Sequence, residues 1–191
     1  FMVLYSIVPA IVGTSTWKEA WAAVAYIPLN FPANAGHLWF MYPLLGMYLL
    51  IPVLSPWVRK ATARQERFIL YLWLISTCLP YLNRWVGDIW GQCWWNNYDM
   101  LYNFAGYPGY FLLAHYIREH IDWDRSKRLW IGSISAIIGL VTTFLSFYLQ
   151  AVPGTGISYI ELEIGWCFCT LNCVVFTFGI FLLLTCIERP G

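Results

Sequence analysis

Residues 37 to 54 read HLWFMYPLLGMYLLIPVL, eighteen positions without a lysine, arginine, aspartate or glutamate. Crossing about 30 Å of hydrocarbon at about 1.5 Å per residue takes roughly 20 mostly apolar residues. The run is therefore long enough to span a bilayer before Ser55 and Pro56. It opens on His37, which places a titratable ring at a membrane boundary.

The rest of the chain belongs to the same solvent. Hydrophobic residues make up 60% of it, charged residues 11%, and the mean hydropathy is +0.58. A soluble domain of 191 residues would lack polar surface at that composition. Hydropathy predicts spans at about His37–Val58, Phe68–Trp85, Met100–Ile117, Leu129–Leu149 and Ile160–Ile187. The opening FMVLYSIVPAIVG, Phe1 to Gly13, is apolar but lacks the basic start and small-residue cleavage site of a signal peptide. We expect it to be the tail of a longer spanning helix, and the chain to be a piece of a larger protein. Backbone polar groups in hydrocarbon must bond internally, and continuous apolar runs suit helices, not barrel strands. The expected fold is all-α: a polytopic transmembrane helix bundle of about six spans, the first partial, with residues 1–191 forming part of one membrane-embedded domain.

Charge placement orients this bundle. Nine of the eleven lysines and arginines fall in the connection Arg59–Arg67, the connection Arg118–Arg128 and the carboxyl end at Arg189. The positive-inside rule puts those three segments in the cytoplasm. His37 is then at the outer end of its helix. On that outer side RWVGDIWGQCWWNNY, Arg84 to Tyr98, carries four tryptophans, amphipathic rings that settle among headgroups. The stretch Trp17–Pro32 suits a helix lying flat on the surface.

Helix contacts leave marks as well. Ser135, Gly139 and Thr143 recur every fourth residue, and Gly132 with Ala136 makes a parallel row; small residues at that spacing let backbones approach closely. Prolines 43, 52, 80 and 108 each remove a backbone donor. Pro108 lies between Gly106 and Gly109, so a break is expected in that helix, and a cavity beside the His37 helix is an accompanying hypothesis.

Several residues are candidates for chemistry. An imidazole such as His37 can serve as base, acid or ligand near neutral pH; the plainer reading is a hydrogen bond to a loop or headgroup. Met41, Leu44 and Tyr48 follow it at helical spacing, with Trp39 and Phe40 beside it. Such a stripe packs a core more often than it guides a substrate, and Tyr48 is its hydroxyl worth testing. Glu161 and Glu163 open the last span, and Asp88 and Asp99 flank the tryptophan-rich loop. Carboxylates at a membrane edge are functional candidates, though a helix start also favours them. Arg84 can grip an anion or pair with Asp88. His115 and His120 show no metal spacing with sequence neighbours, so no metal site is expected.

Six cysteines without a CxxC pair give no framework, and buried cysteines serve as small hydrophobes. No GxSxG elbow, phosphate loop or HExxH is present. Basic residues split between short connections give no surface for nucleic acid.

The segment HLWFMYPLLGMYLLIPVLSPWV resembles the His-Leu-Trp-Phe helix, followed by a Gly-Tyr-Leu-Leu-x-Pro run, of the acyltransferase 3 family of integral-membrane O-acyltransferases. NFAGYPGYFLLAHYI is similar to that family's Gly-Tyr-x-Gly-Tyr-Phe-Leu-Leu-Gly helix, with Ala114 in place of the last glycine. ISYIELEIGWCFCTLNCVVFTFGIFLLL is compatible and less specific. The resemblance covers about residues 37 to 187. It implies a membrane domain of about ten helices that moves acyl groups, often acetyl from acetyl-CoA, onto hydroxyls of cell-envelope sugars. The family's main catalytic histidine and a nearby basic residue, on its first helices, have no counterpart here, nor does its final helix. His37, Trp39 and Phe40 carry over as motif positions, and Tyr107, Gly109 and Tyr110 as weaker ones.

The expected activity is acyl transfer from acyl-CoA to a hydroxyl of an envelope sugar or polysaccharide. His37 would act on the acceptor side, and Trp39, Phe40, Tyr48, Arg84, Tyr107, Tyr110 and Glu161 would contact substrate. The expected setting is a bacterial cytoplasmic membrane, with lipid and a carbohydrate acceptor as partners and no tightly bound cofactor. These residues alone are expected to be inactive. A transporter or flippase whose bent helices line a path is the competing class, and a structural membrane subunit is a third.

Overall fold

The computed structural model describes residues 1–30, 33–87, 98–150, 165 and 167–187, and the side chains of these except at 33–35, 84 and 150. Every regular element among them is helical: α1 (Met2–Ile11), α2 (Trp17–Tyr26), a 3₁₀ helix (Ala33–Phe40), α3 (Met41–Val58), α4 (Ala63–Val86), a second 3₁₀ helix (Asp99–Phe104), α5 (Pro108–His120), α6 (Arg125–Gln150) and α7 (Leu171–Ile187). They divide into two compact units, Phe1–Pro56 and Trp57–Gly191.

In the first unit α1 packs on α2 and on the 3₁₀ helix. The turn between α1 and α2 follows from its residues. Gly13 adopts φ +78°, Thr14 N–H bonds the Pro9 carbonyl at 2.8 Å and Gly13 N–H bonds that of Ala10 at 3.3 Å, which closes the helix end as a Schellman motif. Thr16 then caps α2 reciprocally with Glu19: Thr16 N–H donates to Glu19 Oε2 at 2.8 Å and Glu19 N–H to Thr16 Oγ1 at 3.3 Å. These bonds from Thr16 hold the Glu19 carboxyl below its usual range. Trp17 and Trp21, one helical turn apart, are both exposed.

The second unit is built around Leu70, Trp73, Leu112, Leu113, Ile117, Val174 and Leu182, contributed by α4, α5 and α7. Trp73 organises it. Its indole is 1% exposed, its Nε1–H donates to the Gly106 carbonyl at 2.9 Å, and the Tyr110 ring meets it edge-on at 4.9 Å. A Cβ at Gly109 would lie 2.1 Å from the indole, so only glycine lets α5 come this close. On α4, Pro80 has no amide to donate. Just before it Ser76 and Thr77, both fully buried, bond back to the Trp73 and Leu74 carbonyls at 2.6 and 2.7 Å, which satisfies their hydroxyls away from water.

The small-residue rows of α6 face α7, as their spacing predicts. A Cβ on Gly139 would fall 2.4 Å from the Phe176 backbone nitrogen, one on Gly179 2.5 Å from that of Ala136, and one on Gly132 3.0 Å from the Gly179 carbonyl oxygen. At the far end of the row Asn172 Nδ2 donates to Thr143 Oγ1 at 2.7 Å. The opposite side of α6 exposes Trp130, Ile137, Leu140, Phe144 and Tyr148. A helix with one small-residue face and one bulky apolar face suits packing on protein on one side and lipid on the other.

Two stretches among the described residues are long and apolar enough to cross a membrane, Gly36–Val58 and Arg125–Leu149. Only 6% and 11% of their apolar windows are buried, the reverse of a soluble core helix. The expected span Met100–Ile117 is not one helix. The 3₁₀ helix ends at Phe104, Gly106 takes φ +91° and Pro108 starts α5 afresh; the thirteen residues of α5 reach only about 20 Å. The expected helix from His37 also begins differently. His37 belongs to the 3₁₀ helix, whose three residues per turn take it out of register with the Met41, Leu44 and Tyr48 stripe.

Candidate functional site

In the first unit His37 is exposed, and the Tyr5 ring of α1 meets it edge-on at 5.0 Å between centroids. Leu38 turns inward and is buried, while Trp39 and Phe40 are partly open at 38% and 46%. Tyr42 fixes the start of α3 by bonding the Ile27 carbonyl through its hydroxyl. Tyr48 is exposed on α3. The imidazole therefore stands exposed on a braced turn, with the Tyr5 edge against it and the partly open Trp39 and Phe40 next in sequence.

In the second unit Tyr107 and Tyr110 bracket the start of α5. Tyr107 precedes Pro108 and its ring lies 6.4 Å from that of Phe168; the Tyr110 hydroxyl bonds the Phe168 carbonyl. A polar chain lies on the α7 side of this unit. Tyr81 donates to Asn172 Oδ1 at 2.5 Å, and Asn172 Nδ2 donates to Gly165 O at 2.8 Å as well as to Thr143. Asp99 is 4% exposed and takes φ +48°, a left-handed conformation that aspartate tolerates better than most residues. Burial pushes the phenol of neighbouring Tyr98 well above its ordinary range. Arg84 lies in the last turn of α4. Glu161, with Glu163 and Asp88, lies outside the described residues.

The opposite end of the second unit holds a group that sequence reasoning missed. Thr62 caps α4 reciprocally with Gln65, Thr62 N–H donating to Oε1 at 2.8 Å, and this sets the first turn so that Glu66 points inward and is fully buried. His115 Nδ1 lies 3.2 Å from Glu66 Oε2, and His120 Nε2 lies 3.2 Å from Oε1. Two of the chain's three histidines thus converge on one carboxylate. Just past the link that follows His120, Arg128, 4% exposed, forks onto three oxygens: Ile121 O at 2.6 Å, Trp123 O at 2.8 Å and Thr185 Oγ1 at 3.0 Å. Arg128→Lys keeps the charge and loses the planar fork; with two of the three bonds lost at about 1.5–3 kcal/mol each, we expect a loss of about 3–6 kcal/mol, read as a lower Tm in detergent. Along the first turns of α4, Trp57, Arg64, Gln65, Phe68 and Ile69 line a cleft of about 390 Å³.

A family model described as an acyltransferase domain matches residues 1–190, running through both units. The chain belongs to the acyltransferase 3 family. No curated protein and no solved structure matches it. The two motif segments of this acyltransferase 3 chain have distinct structural roles. HLWF occupies the 3₁₀ turn that presents His37, whereas GYPGYFLL supplies the glycines and tyrosine that seat α5 on Trp73. In the second segment Gly109 answers to packing on Trp73 and Gly106 to a left-handed backbone turn, and the ring contact of the exposed imidazole in the first is with Tyr5.

Proposed function

We propose that the chain is the membrane-embedded part of an O-acyltransferase that moves an acyl group, acetyl in the simplest case, from acyl-CoA to a hydroxyl of a cell-envelope sugar or polysaccharide. The family match across residues 1–190 carries this reading. The proposed topology is a bundle of about six spans in a bacterial cytoplasmic membrane, with the basic connections inward. In the net reaction the acyl carbon gains a C–O bond to the acceptor as its thioester C–S bond breaks, and the hydroxyl proton passes through a base to the sulfur, so that CoA leaves as the thiol; the acyl group must cross from the cytoplasmic donor to the outer acceptor. His37, exposed at the outer side, is assigned to the acceptor hydroxyl. Trp39, Phe40, Tyr48, Arg84, Tyr107, Tyr110 and Glu161 are assigned to substrate contact.

The test uses membranes that contain the full-length protein, supplied with acyl-CoA labelled in its acyl group. Label on an envelope glycan supports transfer, while movement of an unmodified sugar or lipid with no label incorporated would favour transport. His37→Ala is expected to insert normally and to lose about 10²–10⁴ in acylation rate, the usual worth of a general acid or base. An unchanged rate in that variant would remove His37 from the mechanism.

A further inference from the structure

We propose that Glu66, His115 and His120 form a three-ligand site for a divalent transition ion of the zinc class. Two imidazoles and one carboxylate are the donor set that zinc accepts when a fourth position stays open. The ligating atoms, Glu66 carboxylate oxygen, His115 Nδ1 and His120 Nε2, all lie within 4.8 Å of one another. Both nitrogen–oxygen separations are 3.2 Å. That is long for an imidazolium–carboxylate bond, which draws to about 2.7–2.9 Å. Each is close to one edge, about 3.3 Å, of a tetrahedron whose metal–ligand distances are about 2.0–2.1 Å; because His115 faces Oε2 and His120 faces Oε1, seating one ion requires the two partly exposed rings to draw together.

Burial gives the cluster its charge requirement. The Glu66 side chain is 0% exposed, and an ionised carboxylate out of water needs a cation or several donors. Among the described residues its ion pairs are the two imidazoles, while Arg128 is committed to Ile121, Trp123 and Thr185 and Arg118 lies against Glu119 at 3.8 Å. The His115 and His120 side chains are 36% and 25% exposed, which leaves an ion a way in and a side for a water molecule or a fourth ligand.

The sequence spacing conceals the site. Residues five apart sit on different sides of a helix, yet His115 presents its near nitrogen, Nδ1, and His120 its far one, Nε2. The difference in reach brings both to one point. His120 is the last residue of α5, so its ring can turn toward Glu66 across the helix end.

The experiment uses the untagged full chain in detergent, stripped with a chelator and titrated with Co²⁺ in place of Zn²⁺. Visible absorption of tetrahedral cobalt should saturate at one equivalent and be displaced by Zn²⁺, and Zn²⁺ should raise Tm. His120→Ala, a change at a partly exposed ring, should weaken binding by more than the roughly 10–100-fold typical of changes outside the ligand shell; His115→Ala and Glu66→Gln should do the same, and His37→Ala should bind as the parent does. Absence of a one-equivalent band, equal binding by His120→Ala, or a sulfur-to-cobalt charge-transfer band that places the ion on cysteine would each overturn the proposal. Metal binding is read without any acyl acceptor, so its failure is separable from failure of the acyltransferase reading.

Discussion

Gly139→Leu is expected to drive α6 and α7 apart. The added Cβ alone would lie 2.4 Å from the Phe176 nitrogen and 2.6 Å from its Cα. These are backbone atoms of a helix, so no side-chain rotation relieves the overlap, and a branched side chain beyond Cβ adds to it. Overpacking in a close-packed interior costs typically about 1–3 kcal/mol and sometimes more. The upper end is expected here because a whole helix must move, and the Asn172–Thr143 bond at 2.7 Å goes with it. Thermal unfolding in detergent should show a large fall in Tm, and cysteine pairs placed across α6 and α7 should crosslink less. Gly46→Ala on α3 is the control: no atom lies within 4 Å of the new Cβ. Exchanging glycine for alanine inside a helix is then neutral or stabilising by up to about 1 kcal/mol. Equal Tm losses at the two positions would mean that α6–α7 contact is not what glycine provides.

Gly109→Ala should be nearly as severe, for a different reason. Its Cβ would sit 2.1 Å from the Trp73 indole, and that indole is held by the bond to Gly106 and by the Tyr110 edge. Either α5 lifts from α4 or Trp73 leaves its rotamer and loses both contacts. The expected cost is again toward the upper end of about 1–3 kcal/mol. The effect is specific to the pair, so Trp73→Leu in the same chain should recover part of the loss although it is damaging alone, a coupling typical of residues in direct contact. If the double variant loses the sum of both single effects, the clash is not with Trp73. Displacement of α5 would also carry His115 and His120 away from Glu66, so cobalt binding should fall in Gly109→Ala together with Tm.

Helical architecture was legible because continuous apolar runs leave little else. The break near Pro108 was legible because proline and the flanking glycines act on the backbone locally, and the close approach of α6 was legible from the period of Ser135, Gly139 and Thr143, although the spacing could not name α7 as the partner. Hydropathy counts apolar residues without regard to where a helix stops, so it merges the 3₁₀ helix at Asp99–Phe104 with the thirteen-residue α5. It also starts a helix at His37 where the chain forms a 3₁₀ turn. Glu66, His115 and His120 were hidden because forty-nine residues separate the carboxylate from the nearer ring. A reading confined to neighbours in sequence sees only two histidines at the wrong interval. The reciprocal pattern Thr62-x-x-Gln65 was a local clue to where α4 begins and hence to which residue its first turn sends inward.

Arg128 gives the end of this unit a mechanical property. One rigid guanidinium ties the Ile121 and Trp123 carbonyls, in the link between α5 and α6, to Thr185 in the last turn of α7. Ile121 directly follows His120. The carboxyl-terminal turn of α7 and the backbone beside the imidazole are thus joined by a short strut, and a pull on either is felt at the other.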